Sequence, residues 1–119
     1  MTITVTPIAE QVQTLIDQLN NEFRVNSIES GHSSFYQLAL YPGGRKYYRI
    51  VAALVDSKDT NVLECRSRSC YAFIDGEGNI YKSASWKTPA KGIRATIDQV
   101  LSGSVKADQY GSWLYSNRR

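Results

Sequence analysis

The sequence predicts an α+β domain: an antiparallel sheet of four or more strands with an N-terminal and a C-terminal helix packed on it. Three observations point there. An apolar stripe at helical spacing opens the chain, strand-like segments joined by glycine-rich turns fill its middle, and a cap-plus-proline signature near residue 89 starts a second helical period. With 119 residues, 42% of them hydrophobic and 21% charged, the chain reads as one globular domain, 1–119, with a single core, which excludes a two-domain enzyme.

The first helix is expected over about 7–23. Thr6-Pro7 reads as an N-cap with Pro at the first helical position, and Ile8, Val12, Leu15, Ile16, Leu19 and Phe23 recur at spacings of 3, 4 and 7. Strands are expected within about 34–82. Phe35 to Leu40 and Tyr47 to Val55 flank the turn Tyr41-Pro42-Gly43-Gly44-Arg45. In the second of them Tyr48, Ile50, Ala52 and Leu54 form the better core face, while Tyr47, Arg49, Val51 and Ala53 share the other. Val62 to Cys65 is a candidate opening of a further strand.

The strongest local signal is the hairpin Cys70-Tyr71-Ala72-Phe73-Ile74 and Asn79-Ile80-Tyr81-Lys82 around Asp75-Gly76-Glu77-Gly78, whose glycines allow the positive φ of a tight turn. Thr88-Pro89 then starts a helix expected over about 89–102 that buries Ile93, Ile97, Val100 and Leu101 and ends at Gly103. The tail, 104–119, carries Tyr110, Trp113, Leu114 and Tyr115 and is expected to dock on the domain or on a partner subunit. Consecutive strands with hairpin turns favour an antiparallel sheet covered on one face, leaving the other to be solvated or to bind.

Net charge is only +3, but its distribution is uneven: residues 45 to 94 hold ten basic side chains against five acidic ones. That asymmetry favours an anionic partner, with a solvated strand face as the alternative. Cys65 and Cys70 lack C-x-x-C spacing, and His32 is a lone histidine in a Gly-Ser loop, so no metal site and no acid–base pair is read; no cofactor is expected. Phosphate-loop, nucleophile-elbow and dinucleotide fingerprints are missing from the sequence, which makes an enzyme the weaker hypothesis. No apolar run is long enough for a membrane span and no secretory leader is read, so the expectation is a cytoplasmic chain with reduced thiols.

The segment Ser85 to Arg94 offers something positive. Lys87, Lys91 and Arg94 crowd what reads as a helix start, where backbone N–H groups and the dipole favour an anion and disfavour cations. A ligand phosphate would offset them; neighbouring carboxylates such as Asp75 or Glu77 are the structural alternative. Tyr71, Phe73, Tyr81 and Trp86 supply rings nearby, Asn79 an amide, and Lys82, Lys91 and Arg94 cations, a set that suits a nucleotide, with core packing the alternative for each ring. Arg45, in the first hairpin turn, completes the candidate set.

Gly44-Arg45-Lys46-Tyr47-Tyr48-Arg49-Ile50-Val51, the stretch from Ser69 to Asp75, the stretch from Gly78 to Trp86, Pro89-Ala90-Lys91-Gly92-Ile93-Arg94 and the tail Tyr110 to Tyr115 together resemble the phage anti-Thoeris sponges. The likeness covers about residues 44 to 94 and the tail. It implies a phage counter-defence protein in the cytoplasm of an infected bacterium that binds cyclic ADP-ribose isomers made by TIR-domain enzymes without cleaving them. It further implies assembly as dimers and hexamers, with the ligand held between protomers. The family's ligand-binding arginine falls on Arg94, its amide on Asn79, and its stacking ring on Tyr71 or Phe73; some members also bind cyclic trinucleotides. Two other classes stay open: a module for single-stranded nucleic acid, and a host-directed interaction protein using Trp113, Leu114 and Tyr115.

Overall fold

A computed structural model describes residues 7–43, 46–109 and 111–114. Helix α1 spans Ile8–Glu29 and buries Val12, Leu15, Ile16, Leu19 and Phe23, the stripe read from the sequence. It runs six residues beyond the expected end because the next stripe position is polar: Ser27 is buried, and its hydroxyl accepts a 2.9 Å bond from the Gln109 side-chain amide. The end is a Schellman turn. Gly31, at φ +85°, donates to the Ile28 carbonyl and His32 to the Ser27 carbonyl, so two orphan carbonyls of the last turn are satisfied. At the other end Pro7 precedes the first turn with extended backbone and makes no side-chain cap, so it is not the first helical residue; Thr6 lies outside the described residues.

Five strands follow as a meander in the order β1-β2-β3-β4-β5, each antiparallel to its neighbour: β1 Phe35–Tyr41, β2 Tyr47–Val55, β3 Ser69–Asp75, β4 Asn79–Lys82 and β5 Ala95–Thr96. Leu38, Ile50, Ala52, Ala72, Ile74 and Ile80 pack against α1, and Ala95, Ile97, Val100 and Leu114 close the same core. Leu54, expected with them, is exposed. The opposite face is half covered. Phe35, Val51, Ala53 and Val55 are buried there with Val62, and Trp86 packs on them. Val62–Glu64 is a 3-10 turn capped by the Asn61 side chain, not the opening of a strand.

The second helix differs most from expectation. Helix α2 is only Ile97–Leu101, and the segment expected to be its first two turns continues the sheet instead. Pro89 bridges to Ser83, the Arg94 N–H donates to the Ile80 carbonyl at 2.8 Å, and Ala95–Thr96 pair with Ile80 and Asn79. Between them Gly92 takes φ +94°, a conformation glycine adopts without the Cβ penalty other residues incur. Helix entry is set at Thr96, whose hydroxyl accepts from the Gln99 N–H while the Gln99 side chain accepts from the Thr96 N–H. Ile97 and Val100 are buried as expected; Ile93 lies on the irregular segment and is 55% exposed.

The tail docks through Trp113 and Leu114, the latter fully buried. Tyr110 and Tyr115 lie outside the described residues.

Candidate functional site

The uncovered half of the outer sheet face is built by strand register. Tyr41 pairs with Arg49, Arg49 with Phe73, and Phe73 with Tyr81, which sets four side chains in one row across four strands. Tyr47, paired with Asp75, stands in the next row. A bulge interrupts β2 and β3 at Ile50 and Val51, where Tyr71 is the residue left out of the pairing. The extra residue shifts the alternation, so Tyr71 joins the helix-side core while Phe73 faces out. This corrects the expectation that Tyr71 and Phe73 share a face.

The β4–β5 connection folds back over this row. Its tip is tied by bonds from the Ala84 and Ser85 N–H groups to the Thr88 carbonyl and by the Ser85 and Thr88 hydroxyls at 2.9 Å. Thr88-Pro89 thus closes a hairpin tip and does not cap a helix. From the tip, Trp86 meets Tyr41 edge to face, with centroids 5.3 Å apart.

Arg49 sits among three rings. Its guanidinium carbon is 5.0 Å from the Tyr41 centroid, 5.1 Å from Trp86 and 5.7 Å from Phe73, and Arg68 approaches Trp86 at 5.7 Å. Ring contacts of this kind hold the cation without using its N–H donors. The Nε atoms of Arg49, Arg68 and Arg94 are buried without a hydrogen-bond partner. Among the described residues the ion pair is Lys58 with Asp59, so none of these arginines meets a carboxylate. Beside Arg49 lies a basin of about 130 Å³ lined by Tyr41, Pro42, Gly43, Lys46, Tyr47, Phe73 and Lys87: with Arg49, three cations and no acid. Tyr47 leans on Phe73 and Tyr81 with centroids 6.0 and 5.6 Å away.

Three titrating groups border the cluster. Burial pushes the Cys70 thiol up to about 11, against smaller opposing effects from Ser83 and the Arg49 cation. At the β3–β4 turn burial acts to raise the Asp75 pKa, but hydrogen bonds outweigh it and hold the carboxyl below its usual value. These come from the Asn79 and Glu77 N–H groups, the Asn79 amide and the Tyr81 hydroxyl. The Tyr81 phenol is raised, chiefly because its proton is committed to Asp75.

The residues singled out from sequence therefore divide. Phe73 and Trp86 belong to the cluster, but Phe73 is 2% exposed beneath Arg49 and Tyr47 and offers no free ring for stacking. Tyr71 is no stacking ring either: its hydroxyl donates to the Asp108 carbonyl at 2.6 Å and accepts from the Trp113 indole N–H at 2.8 Å. Tyr71 and Lys82 line a separate cavity of about 340 Å³ beside Gln109. The Asn79 amide is engaged with Asp75. Arg94 leads into β5 and Lys91 is exposed on the connection, so neither adjoins a helix start, and α2 is too short to offer an anion site there. Arg45 lies outside the described residues, although its neighbour Lys46 lines the basin. Lys87, read from the sequence among the cations a phosphate would offset, lines the basin, whereas Lys46, Tyr47, Arg49 and Arg68 are not assigned as ligand groups there. The one signal for these four is the shared strand face of Tyr47 and Arg49.

Among the described residues no group of three or more His, Cys, Asp or Glu side chains is placed to hold a metal, and no helix is long and apolar enough to cross a membrane. The chain matches a family described as a family of unknown function (DUF7717) over residues 2–116. No curated protein and no solved structure matches it.

Proposed function

We propose that this chain, which belongs to that family of unknown function, is a sponge for a small cyclic nucleotide bearing a diphosphate, a cyclic ADP-ribose isomer being the ligand class. The observation that carries the reading is the Arg49 guanidinium, ringed by Tyr41, Trp86 and Phe73 and paired with no carboxylate among the described residues. A cation whose Nε is buried without a partner, and that has no internal counter-ion among the described residues, gains from an arriving anion. The in-plane edge of Arg49 takes the diphosphate in two parallel hydrogen bonds, and Lys46 and Lys87 neutralise the remaining charge. Tyr47, half-buried at the basin wall, supplies the ring for the base.

The basin is smaller than the roughly 300–1,000 Å³ usual for ligand pockets. This supports a site completed by a second copy of the chain, so that the ligand is enclosed between protomers and kept from its receptor. Sequestration of this kind blocks TIR-driven signalling in the cytoplasm of an infected cell without chemistry on the ligand. Calorimetry with cyclic ADP-ribose isomers tests it. Binding by the parent, at least a tenfold loss in Arg49→Ala, and ligand recovered intact after heat release are expected. Absence of binding, equal affinity of the variant, or cleaved ligand each overturns the reading.

The half-buried rings Tyr41, Tyr47 and Tyr81 around Arg49, with Lys46, Lys87 and Arg68 nearby, favour one second reading, a platform for single-stranded nucleic acid. It requires oligonucleotide binding that falls steeply with salt as phosphate counterions are released. A flat salt response with selection of one cyclic ligand decides for the sponge.

A further inference from the structure

Strand β1 is an edge of the sheet, and its sequence, Phe-Tyr-Gln-Leu-Ala-Leu-Tyr, has neither charge nor proline. Those are the usual means by which an edge strand is kept from pairing with another chain, and β1 carries neither. Its seven residues instead combine strand-forming rings and aliphatic groups with zero net charge, the composition that pairs readily with a copy of itself.

What occupies the edge comes from elsewhere in the fold. Tyr36 and Leu38, two residues apart, turn their backbone groups to the same side, away from β2. The Leu38 N–H donates to the Asn20 side-chain carbonyl at 2.7 Å, and the Asn20 NH₂ donates to the Leu38 carbonyl at 3.0 Å. One amide side chain on α1 thereby reproduces both bonds that a residue of a neighbouring strand would make. Next to it the Tyr36 N–H donates to the Gln109 side-chain oxygen Oε1 at 2.8 Å, and the Gln109 NH₂ is anchored on the Ser27 hydroxyl at 2.9 Å. Asparagine is a poor helix former, and Asn20 sits mid-helix in α1. The pair of hydrogen bonds to Leu38 accounts for its presence there.

We propose that Asn20 and Gln109 are an internal substitute for a sixth strand, which closes β1 against antiparallel pairing with β1 of a second copy of this chain. The surface they mask is self-complementary: two uncharged β1 edges meet about a twofold axis without like-charge repulsion and would join two sheets into one. Any assembly of the intact protein therefore uses a different surface.

The test compares the parent with Asn20→Ala, Gln109→Ala and the double variant by sedimentation equilibrium over a wide concentration range, alongside amide hydrogen exchange. The double variant is expected to gain a concentration-dependent step that doubles the parent's mass. In dilute solution, below that step, the Leu38 amide in Asn20→Ala and the Tyr36 amide in Gln109→Ala are expected to exchange about tenfold faster than in the parent. Folded variants that keep the parent's mass at every concentration, or unchanged exchange at these two amides, overturn the proposal. If the double variant does not fold, the single variants decide by the same two readouts.

Discussion

Arg49 and Trp86 join strand β2 to the tip of the β4–β5 connection: the guanidinium carbon lies 5.1 Å from the indole centroid, and the indole in turn covers the apolar patch of Val51, Ala53 and Val55. The cation is thus held by rings and stands at the wall of the basin. Geometry, more than charge, is what the site needs from this residue. Lysine would keep the charge and lose both the planar stacking and the two-pronged donor edge.

Arg49→Lys is accordingly expected to lose at least tenfold in affinity for the cyclic ligand while folding normally. Trp86→Ala should destabilise by about 2–4 kcal/mol, since it removes a large half-buried ring together with its cation–π contacts. Calorimetry reads the first and thermal melting the second. An affinity for Arg49→Lys within twofold of the parent would show that a point charge suffices.

Much of this fold is written in local patterns. The α1 stripe and the Asp75-Gly76-Glu77-Gly78 hairpin were legible because each is set by spacing and turn chemistry within a few residues. The segment from Thr88 to Arg94 was not. Thr-Pro followed by Ile93 and Ile97 satisfies the local signature of a helix start, yet the backbone donors of Ala90 and Arg94 find the Lys82 and Ile80 carbonyls, and pairing across the sheet prevails over propensity. Tyr71 and Phe73 part company for a related reason. A one-residue bulge beside Tyr71 reverses which side chains face out, and no local pattern announces a bulge. Tyr47 and Arg49 were already on one strand face in the sequence; their meeting with Trp86 depends on a connection folding back over the sheet, a long-range event.

Tyr71 ties the tail to the sheet, and its loss has a pH signature. Burial raises its phenol well above the usual value of 10.0. A raised folded-state pKa means the neutral phenol's contribution is fully present below about 10 and is lost as pH rises toward the folded value. Trp113 fluorescence and global stability should therefore fall together above that pH. Tyr71→Phe should cost about 1–3 kcal/mol at neutral pH by leaving the Trp113 indole N–H and the Asp108 carbonyl without this hydroxyl, and it should flatten the alkaline limb. An alkaline limb of undiminished slope in the variant would place the effect elsewhere.

The thiols offer a chemical check on the electrostatics. With its pKa pushed up to about 11, Cys70 is almost entirely protonated at pH 8, and the thiolate is the species that reacts. Iodoacetamide at pH 8 should modify Cys70 at least tenfold more slowly than a free thiol of ordinary acidity. Arg49→Ala should slow it further, because the Arg49 cation is one of the influences that favour the thiolate. Site-resolved mass spectrometry measures both rates. Faster labelling of Cys70 in Arg49→Ala would contradict the assigned direction.

The acid limit of stability is expected to involve the β3–β4 turn. Asp75 accepts from the Glu77 and Asn79 N–H groups at 2.9 and 3.0 Å, and from the Asn79 amide and Tyr81 hydroxyl at 3.1 and 2.9 Å, so one carboxylate organises the whole connection. Its folded pKa lies below the unfolded one. The contribution is therefore complete above the ordinary carboxylate pKa of about 4 and is withdrawn as pH falls through the lowered value. Asp75→Ala should destabilise by about 1–3 kcal/mol at pH 7 through the unpaired turn amides, and the difference from the parent should shrink steadily on acidification. Urea melts at pH 7, 4 and 2 measure that convergence. A gap between the two proteins as wide at pH 2 as at pH 7 would mean that the turn is held by its backbone alone.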